Sequence, residues 1–434
     1  MEIKIEKIIY PGKSLGLIEK QTILTDEGLP GEIVEITPLE EKKNYIEAKT
    51  IKIITPSISR ITPRCSHYQA CGAYQYMDYK TQLTIKKSQL KEIFTDTSIS
   101  VTPSSETWGY RNKIKLSIIW EDKKASLAYH APEYRDKFIQ IGSCCLVSKN
   151  VNEFLSSFME IVNKENLTFI KEIEIRESYS TKELMLTIHP SGKSENGAQP
   201  SLSPEFLGRN TERPLPICGL KTEVLWPRMY KLHILFSKFN MKNNYIEETI
   251  SGKTFRIGPD SFFQINVPML EAVLKDMQKS TSPDKKEIIA DLYCGIGTFG
   301  ICLSQYAKEV IGVESAPGNI SFLKSNLKLN KIKNFRLYEG SCEKLFPSLM
   351  TSGIDTLILD PPRKGLDNML CQNIILSSVK KIIYLSCNPA TLSRDLKIMS
   401  VSHAIKTLHF FDFFPQTPHI ETLAILEKRH CKPI

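Results

Sequence analysis

The second half of the chain, after about Lys253, alternates short apolar runs with segments of helical character. This alternation predicts right-handed βαβ crossovers and a mostly parallel sheet with helices on both faces. Only six residues join the last two apolar runs, too few for a helical crossover, so those strands should be antiparallel. The seven predicted strands are IIADLY (288–293), VIGVES (310–315), NFRLYEG (334–340), DTLILD (355–360), KIIYLS (381–386), TLHFFDFF (407–414) and ETLAILE (421–427).

The remaining sequence divides into three further regions, as expected for 434 residues, more than a single hydrophobic core usually supports. Residues 1–57 contain short strands punctuated by glycines, a pattern typical of a small closed barrel. Residues 58–94 contain two cysteines and a basic amphipathic helix. Residues 95–252 indicate a mixed α+β central domain, with a long loop from Ser191 to about Pro216. The α/β region is then 253–434.

The composition favours a cytosolic protein with a polyanionic partner. The formal net charge is +9, which suits phosphate binding but equally suits a generically basic protein. No secretory leader is recognisable at Met1, and no apolar run approaches the roughly 18 residues of a membrane span. In a cytosolic chain, the eleven cysteines are expected to be metal ligands, catalytic groups or buried thiols rather than disulfides.

A glycine-rich loop follows the first strand of the α/β region. In DLYCGIGTFG (291–300), Gly295 and Gly297 allow a tight turn and a close backbone approach to a ligand. Glu314 ends the next strand, where a carboxylate can accept hydrogen bonds from ribose hydroxyls. Asp291 opens the loop, where it would repel a pyrophosphate but not a sulfonium ligand that carries an amino group. These features predict S-adenosylmethionine rather than a dinucleotide.

Two reactive side chains follow later strands of the same sheet. Asp360 opens DPPRKG (360–365), and Cys387 lies in SCNP (386–389). Ligands bind outside the carboxyl ends of the strands in such sheets, so both side chains are expected near the glycine loop. A thiolate is a good nucleophile, and its addition to carbon 6 of uracil would activate carbon 5 toward a methyl sulfonium. The hydrogen on carbon 5 must then be removed, and Glu421 is the candidate base.

The motifs DLYCGIGTFG, GVES, DPPRKGLD, SCNPATLSRD and DFFPQTPHIET resemble, in that order, the RNA 5-methyluridine methyltransferase family. The resemblance implies a class I methyltransferase fold that is Rossmann-like, with Cys387 as nucleophile and Glu421 as base. Thr298 and Ser341 stand where some relatives have asparagine. The cofactor contacts that the resemblance and the glycine loop together imply are Gln264, Tyr293, Gly295, Gly297, Thr298, Glu314, Ser341 and Asp360.

The N-terminal barrel resembles the TRAM domain, an RNA-binding fold of the OB type, most clearly in LPGEIVEI (29–36). Relatives that carry this barrel typically act on ribosomal RNA, so the resemblance implies 23S ribosomal RNA as the partner. We also expect a monomer that binds no membrane. Candidates for further RNA contacts are YRNK (110–113), Arg363 and Lys364. A second set consists of aromatic residues that are better explained as core: Phe263, Phe411, Phe413 and Phe414.

The same branch of the family usually holds a [4Fe–4S] cluster on four cysteines. Cys65, Cys71 and Cys144 match three of the four positions, but Tyr74 stands where the remaining ligand belongs, and Cys145 follows Cys144 directly. A cubane ordinarily takes one thiolate for each iron. A cluster with three cysteine ligands and the loss of the cluster are both compatible with this pattern.

Four other functions are compatible with parts of the sequence. A transfer-RNA uracil-5 methyltransferase would use the same chemistry. An RNA cytosine-5 methyltransferase would share the cysteine addition, although its usual motifs differ from SCNP. An amino-group methyltransferase is suggested by the DPP motif, but those enzymes usually have an aromatic residue where this chain has Arg363. The barrel and the basic charge would also fit a non-catalytic RNA-binding or RNA-folding protein.

Overall fold

The computed structural model describes residues 1–131, 134–190, 238–242, 244–281 and 286–429. The loop predicted for residues 191–216 lies outside these ranges. The strands are β1 Glu2–Ile9, β2 Lys13–Ile18, β3 Gln21–Thr25, β4 Ile33–Glu41, β5 Ile46–Thr55, β6 Ile99–Thr102, β7 Lys113–Glu121, β8 Lys124–Ala131, β9 Tyr134–Ile141, β10 Ile170–Glu177, β11 Leu184–Pro190, β12 Ile246–Ile250, β13 Lys253–Ile257, β14 Ile288–Leu292, β15 Glu309–Glu314, β16 Phe335–Glu339, β17 Thr356–Leu359, β18 Lys381–Ser386, β19 His403–Phe411 and β20 Glu421–Lys428. The helices are α1 Tyr79–Ile93, α2 Lys149–Lys164, α3 Val267–Ser280, α4 Thr298–Leu303, α5 Pro317–Leu329, α6 Cys342–Leu349, α7 Asn368–Leu376 and α8 Pro389–Met399.

The chain forms two compact units, one of residues Met1–Thr107 with Leu359–Ile434 and one of Trp108–Ile358. The first unit begins with a closed barrel in the strand order β1-β2-β3-β5-β4. Inward-facing and outward-facing side chains alternate along its strands, as a barrel requires. Burial of each large aliphatic side chain inside the barrel stabilises the folded state by about 1.5–3 kcal/mol. The barrel predicted from the sequence is therefore present. The buried cluster inside it consists of Ile3, Ile5, Ile23, Val34, Ile36 and Ala48.

Helix α1 begins at a cap formed by Asp78, whose side chain accepts a hydrogen bond of 2.9 Å from the Thr81 amide. The sequence predicted a basic amphipathic helix here, but its apolar residue Leu83 is only half-buried. The buried face instead includes three polar side chains, which are tolerated because each is bonded to another part of the first unit. These buried residues are Gln82, Ile85, Lys86, Gln89 and Leu90.

The C-terminal part of the first unit contains the strand order β18-β20-β19-β6. Strand β20 is antiparallel to both β18 and β19, as the short connection between the last two strands predicted. Strand β6 pairs in parallel with β19. The seven strands predicted for this sheet do not include β6, because a strand of four residues has too little periodicity to be assigned from sequence.

The second unit contains the strand order β16-β15-β14-β17. The pairs β14–β15 and β15–β16 are parallel. Their carboxyl ends therefore lie at one edge of the sheet, where the loops after β14, β15 and β16 meet. In β14 the residues Ile289–Leu292 are buried, as expected for a strand of a sheet covered on both faces.

The same unit contains an antiparallel sheet in the order β11-β10-β7-β8-β9 and the hairpin β12-β13. Helix α2 contacts β8 and buries an apolar face that includes Phe154 and Phe158, whose ring centroids are 5.9 Å apart. The central region is thus a helix packed on an antiparallel sheet. Within the described ranges, no helix is long and apolar enough to span a membrane.

Candidate active site

Cys387 lies between β18 and α8, at the carboxyl end of a strand whose last five residues are buried. Helix α8 begins immediately after it, because Asn388 accepts a hydrogen bond of 3.1 Å from the Ala390 amide and Pro389 occupies the first turn. The Cys387 side chain is half-buried. It therefore has the position at a strand end that the sequence predicted.

Glu421 is the first residue of β20 and is only 2% exposed. The antiparallel register pairs Ser386 with Thr422. Cys387 and Glu421 are the next residues outward from this pair, so they occupy neighbouring strand ends. Directly opposed residues of antiparallel strands have Cα atoms about 4.5–5.5 Å apart. The candidate nucleophile and the candidate base are thus brought together by strand register.

Arg363 is a third member of this site. Its backbone carbonyl accepts hydrogen bonds from Asn388 Nδ2 at 3.1 Å and from Thr391 Oγ1 at 3.2 Å. Its positive charge lowers the pKa of the Cys387 thiol and so opposes the effect of burial. The sequence suggested only a phosphate contact for Arg363, because nothing in the DPPRKG motif shows that this loop is bonded to the start of α8.

Asp395 holds the same loop from inside the unit. This fully buried carboxylate accepts hydrogen bonds of 2.8 Å from the Tyr384 hydroxyl and from the Leu366 amide, and Arg394 Nε also donates to it at 2.8 Å. Gly365 has a φ of +74°, and a Cβ there would lie 2.6 Å from Asp395 Oδ2. The glycine is therefore required both by its backbone conformation and by its close neighbours.

The electrostatics of this cluster disfavour charge on both reactive groups. Burial raises the pKa of the Cys387 thiol to about 11, the carboxylates of Glu421 and Asp360 add to this rise, and Arg363 opposes it. Burial raises the pKa of Glu421 well above its usual range, with Asp360 in support and Arg363 again opposed. Arg363 is therefore the positive charge that stabilises the thiolate, and Asp360 lies close enough to act on both groups.

In the second unit, Glu314 organises the loops at the carboxyl end of β15. Its Oε2 accepts a hydrogen bond of 2.8 Å from the Gly295 amide, and its Oε1 accepts bonds of 2.7 Å from the amides of Ser315 and Ala316. Gly297 caps α4 with a φ of +89°, and a Cβ there would lie 2.3 Å from Leu323 Cδ1. The glycine-rich turn is thus held in shape by the acidic residue of the next strand.

The other predicted cofactor residues of this unit surround the same strand ends. Tyr293 has a φ of +61°, and its hydroxyl donates a hydrogen bond of 2.8 Å to Glu343. Thr298 is the first residue of α4, and Ser341 precedes α6 at its cap. Beside them, a cleft of about 450 Å³ is lined by Ser315, Pro317, Ile320, Ser321, Lys324, Glu339 and Gly340. Its size and its partly apolar lining fit the adenosine part of S-adenosylmethionine.

Gln264 is buried and is held through the YRNK motif. Asn112 Nδ2 donates a hydrogen bond of 3.0 Å to the Gln264 carbonyl, and the Asn112 amide donates one of 3.1 Å to the Ile265 carbonyl. Tyr110 and Asn112 are both buried. This part of the YRNK motif therefore supports the FFQIN segment from within, a function that its sequence alone did not indicate.

Asp291 has a different surrounding from the one expected. The sequence placed this carboxylate beside the ligand, but it is fully buried, and its Oδ2 accepts a hydrogen bond of 2.8 Å from the Gly300 amide in α4. Asp291 therefore fixes the strand-to-helix turn.

The aromatic residues near these strand ends belong mainly to the core. Phe263, Phe411 and Phe413 are buried, whereas Phe414 is half-buried and makes an edge contact with His419 at a centroid distance of 5.6 Å. Phe414 is therefore the one of these four with exposed surface. Arg363 and Lys364 are exposed, as a contact with RNA phosphate would require.

The cysteine set does not fit a cluster with four cysteine ligands. Tyr74, at the position of the missing ligand, is fully buried, and its hydroxyl is bonded to Gln89 Nε2 at 3.1 Å. Cys65 Sγ lies 3.4 Å from Gln75 Nε2, and in the second unit the Tyr129 hydroxyl lies 3.6 Å from the sulfur of the buried Cys144. Over the residues that the structure describes, no three His, Cys, Asp or Glu side chains are grouped to hold a metal ion.

Known proteins resemble this chain over most of its length. A model of the tRNA (uracil-5-)-methyltransferase family matches residues 233–429. An uncharacterized RNA methyltransferase of Clostridium acetobutylicum is 30% identical, covering 98% of this chain and 96% of the relative. One of Listeria monocytogenes is 29% identical over 98% of this chain and 97% of its own length. A tRNA (uracil-54, C5)-methyltransferase of Pyrococcus abyssi, solved with S-adenosyl-L-homocysteine, has a TM-score of 0.75 at 24% identity, covering 98% of this chain and all of that one.

The barrel, the Rossmann-like strand order and the glycine-rich turn define an S-adenosylmethionine-dependent RNA methyltransferase. Within that class, the chain belongs to the family of RNA uracil-5 methyltransferases. The class I fold and the cofactor predicted from the sequence are therefore confirmed.

Proposed function

We propose that this enzyme methylates carbon 5 of a uridine through a covalent bond between Cys387 and carbon 6 of the base. The observation that carries the proposal is the strand register that sets Cys387 beside Glu421, and the positive charge of Arg363 favours the thiolate. A nucleophile, a base and a stabilising cation in one cluster are what this reaction requires. A methyltransferase acting on an amino group would have no use for the cysteine.

The reaction begins with the thiolate of Cys387. Its sulfur adds to carbon 6 of uracil, and the electron pair of the double bond between carbons 5 and 6 moves toward carbon 5 and the carbonyl oxygen on carbon 4. Because burial raises the pKa of the thiol to about 11, little thiolate exists at neutral pH, and the proposed function of Arg363 is to favour that form. S-adenosylmethionine supplies the methyl group that carbon 5 then receives.

Glu421 completes the reaction by accepting the proton from carbon 5. The electron pair of that C–H bond restores the double bond, and the bond between carbon 6 and the Cys387 sulfur breaks. A carboxylate with a raised pKa is the stronger base, so the burial of Glu421 suits this step. Because Glu421 is only 2% exposed, bulk water has little access to the proton that it holds.

The proposed cofactor contacts are those implied by the sequence. Glu314 would accept hydrogen bonds from the ribose hydroxyls, while the turn through Gly295 and Gly297 would let the backbone approach the ligand. Their support is the shared edge of β14, β15 and β16, together with the adjoining cleft. The complete proposed set is Gln264, Tyr293, Gly295, Gly297, Thr298, Glu314, Ser341 and Asp360.

The proposed substrate is 23S ribosomal RNA, on the basis of the resemblance of the barrel to TRAM domains. Transfer RNA is the second candidate, because the Pyrococcus abyssi enzyme, whose fold matches 98% of this chain, is named for a uridine of tRNA. The barrel and the net charge of +9 suit either RNA.

The substrate can be determined directly. Unmodified transcripts of 23S ribosomal RNA and of transfer RNAs are incubated with the purified protein and S-adenosylmethionine, and the nucleosides are then analysed by mass spectrometry. We expect 5-methyluridine in the ribosomal transcript and none after the Cys387→Ala substitution. Methylation of transfer RNA alone would favour the second candidate, and 5-methylcytidine would contradict uracil as the target base.

A further inference from the structure

Tyr10 lies in the turn between β1 and β2 of the barrel. The turn is closed by a hydrogen bond of 2.6 Å from the Gly12 amide to the Ile9 carbonyl. It packs against the segment before β20 so closely that a Cβ on Gly12 would lie 2.7 Å from Pro418 Cβ. Pro418 is three residues before Glu421. The barrel therefore touches the segment that leads directly into the candidate base.

The Tyr10 side chain is half-buried and close enough to the reactive cluster for three of its charges to act on the hydroxyl: those of Cys387, Arg363 and Glu421. Throughout the described part of the chain, no group is hydrogen-bonded to this hydroxyl. Burial, with the charges of Cys387 and Glu421, raises the pKa of Tyr10, so the phenol keeps its proton at physiological pH. It is a neutral hydrogen-bond donor beside the proposed nucleophile.

We propose that Tyr10 is a catalytic residue, whose hydroxyl donates a hydrogen bond to the uracil carbonyl oxygen that becomes anionic when Cys387 adds to the ring. This inference rests on the proposed function. Addition of the sulfur to carbon 6 moves the electron pair of the double bond toward the oxygen on carbon 4, and a fixed donor there stabilises that charge. When carbon 5 receives the methyl group, the electron pair leaves the oxygen to form the new carbon–carbon bond, so the oxygen is a carbonyl again. Glu421 then takes the proton from carbon 5, the pair of that C–H bond re-forms the double bond as the carbon–sulfur bond breaks, and Tyr10 retains its hydrogen throughout.

The consequence is that the barrel contributes to the chemistry as well as to RNA binding. Removal of one donor to a developing oxyanion lowers kcat by roughly 100- to 1000-fold in well-studied enzymes. A single phenol at a partly exposed site should contribute less than that, so we expect a decrease of about 10- to 100-fold. The effect should fall on the step that follows RNA binding.

The Tyr10→Phe variant tests this inference, because it removes the hydroxyl and keeps the ring. We expect kcat to fall about 10- to 100-fold while KM for the RNA changes by less than about threefold. In RNA containing 5-fluorouridine, fluorine replaces the hydrogen that the base must remove, so the reaction stops at the covalent adduct. The variant should form this adduct more slowly than the wild type by the same factor. Tyr10→His, which keeps a donor, should recover part of the rate.

Tyr45→Phe is the matched control, because Tyr45 is a half-buried tyrosine of the same barrel that lies between β4 and β5 rather than in the turn that packs against Pro418. Its kinetics should equal those of the wild type. An unchanged kcat for Tyr10→Phe, or a change confined to KM, would overturn the inference. A wild-type enzyme that makes no 5-methyluridine would instead refute the proposed function, so the two failures are distinguishable.

Discussion

Lys86 Nζ lies 2.7 Å from Asp412 Oδ1, and both side chains are fully buried. The ammonium group also donates a hydrogen bond of 3.0 Å to the Phe414 carbonyl. On the preceding turn of α1, the Gln82 side chain exchanges two hydrogen bonds of 2.9 Å with Gln416. Helix α1 therefore holds residues 412–416 of the segment that leads to Glu421.

Loss of one partner of this buried ion pair should destabilise the protein. In Lys86→Met, the carboxylate of Asp412 would remain buried without its cation, at a cost of about 3–5 kcal/mol in the free energy of unfolding. We expect urea denaturation to show this loss. Lys87→Met, at a half-exposed neighbouring residue, is the control, and its free energy of unfolding should be within about 0.5 kcal/mol of the wild type. The double variant Lys86→Met with Asp412→Leu should regain most of the stability. Equal stability of the single and double variants would contradict an ion pair here.

The reactivity of Cys387 should increase with pH over an unusually high range. Burial and the Glu421 charge favour the neutral thiol, so the thiolate fraction, and with it the rate of alkylation by iodoacetamide, should rise about tenfold per pH unit and level off only near pH 11. Arg363→Met should move this profile to higher pH and Glu421→Gln to lower pH. Lys364→Met, at the adjacent exposed residue, should leave it unchanged. Mass spectrometry of the Cys387 peptide follows the alkylation. If the wild type and all three variants had the same midpoint near pH 8.5, this electrostatic arrangement would be ruled out.

Glu314 should determine the affinity for the cofactor. Glu314→Gln removes a charged hydrogen-bond acceptor at the end of β15. A hydrogen bond to a charged group contributes about 1.5–3 kcal/mol, so its loss should raise the Kd for the cofactor about 10- to 150-fold. Calorimetry with S-adenosylhomocysteine measures this. Glu309→Gln, at the other end of the same strand, is the control and should bind normally. Unchanged affinity in the Glu314 variant would show that the ribose lies elsewhere.

The cysteines of the 58–94 region should have no structural iron. Protein purified without oxygen should be colourless and contain no iron by elemental analysis. The double variant Cys65→Ser with Cys71→Ser should melt within a few degrees of the wild type, because Arg60, which donates to Glu32 through Nε and Nη2 at 2.6 and 2.7 Å, also holds this region to the barrel. A brown protein with bound iron would contradict this prediction.

The α/β strands and the position of Cys387 were predictable because both depend on local patterns. Apolar runs define buried strands, and the residue after such a run must lie at a strand end. The partnership of Cys387 with Glu421 came from a family resemblance, and the antiparallel register of β18 and β20 gives it a physical basis.

Other features depend on contacts between residues far apart in sequence. Lys86 looks like a surface lysine on a basic helix, and only the fold shows that Asp412, more than 300 residues later, is its partner. The pairing of β6 with β19 spans a similar separation in sequence. The hydrogen bonds from Asn388 and Thr391 to the Arg363 carbonyl join residues 25 and 28 positions apart. The hydrogen bond from the Gly300 amide to Asp291 was also not predictable, because a motif position does not reveal which way a side chain points.

The central claim, a covalent bond between Cys387 and the RNA, is tested most directly by the Glu421→Gln variant. Without the base, the methylated intermediate cannot lose its proton, so the variant incubated with RNA and S-adenosylmethionine should give a protein–RNA adduct that survives a denaturing gel. Mass spectrometry should place the RNA on Cys387, and the double variant with Cys387→Ala should give no adduct. A Glu421→Gln enzyme that yields no adduct, or a Cys387→Ala enzyme that still forms 5-methyluridine, would contradict the mechanism.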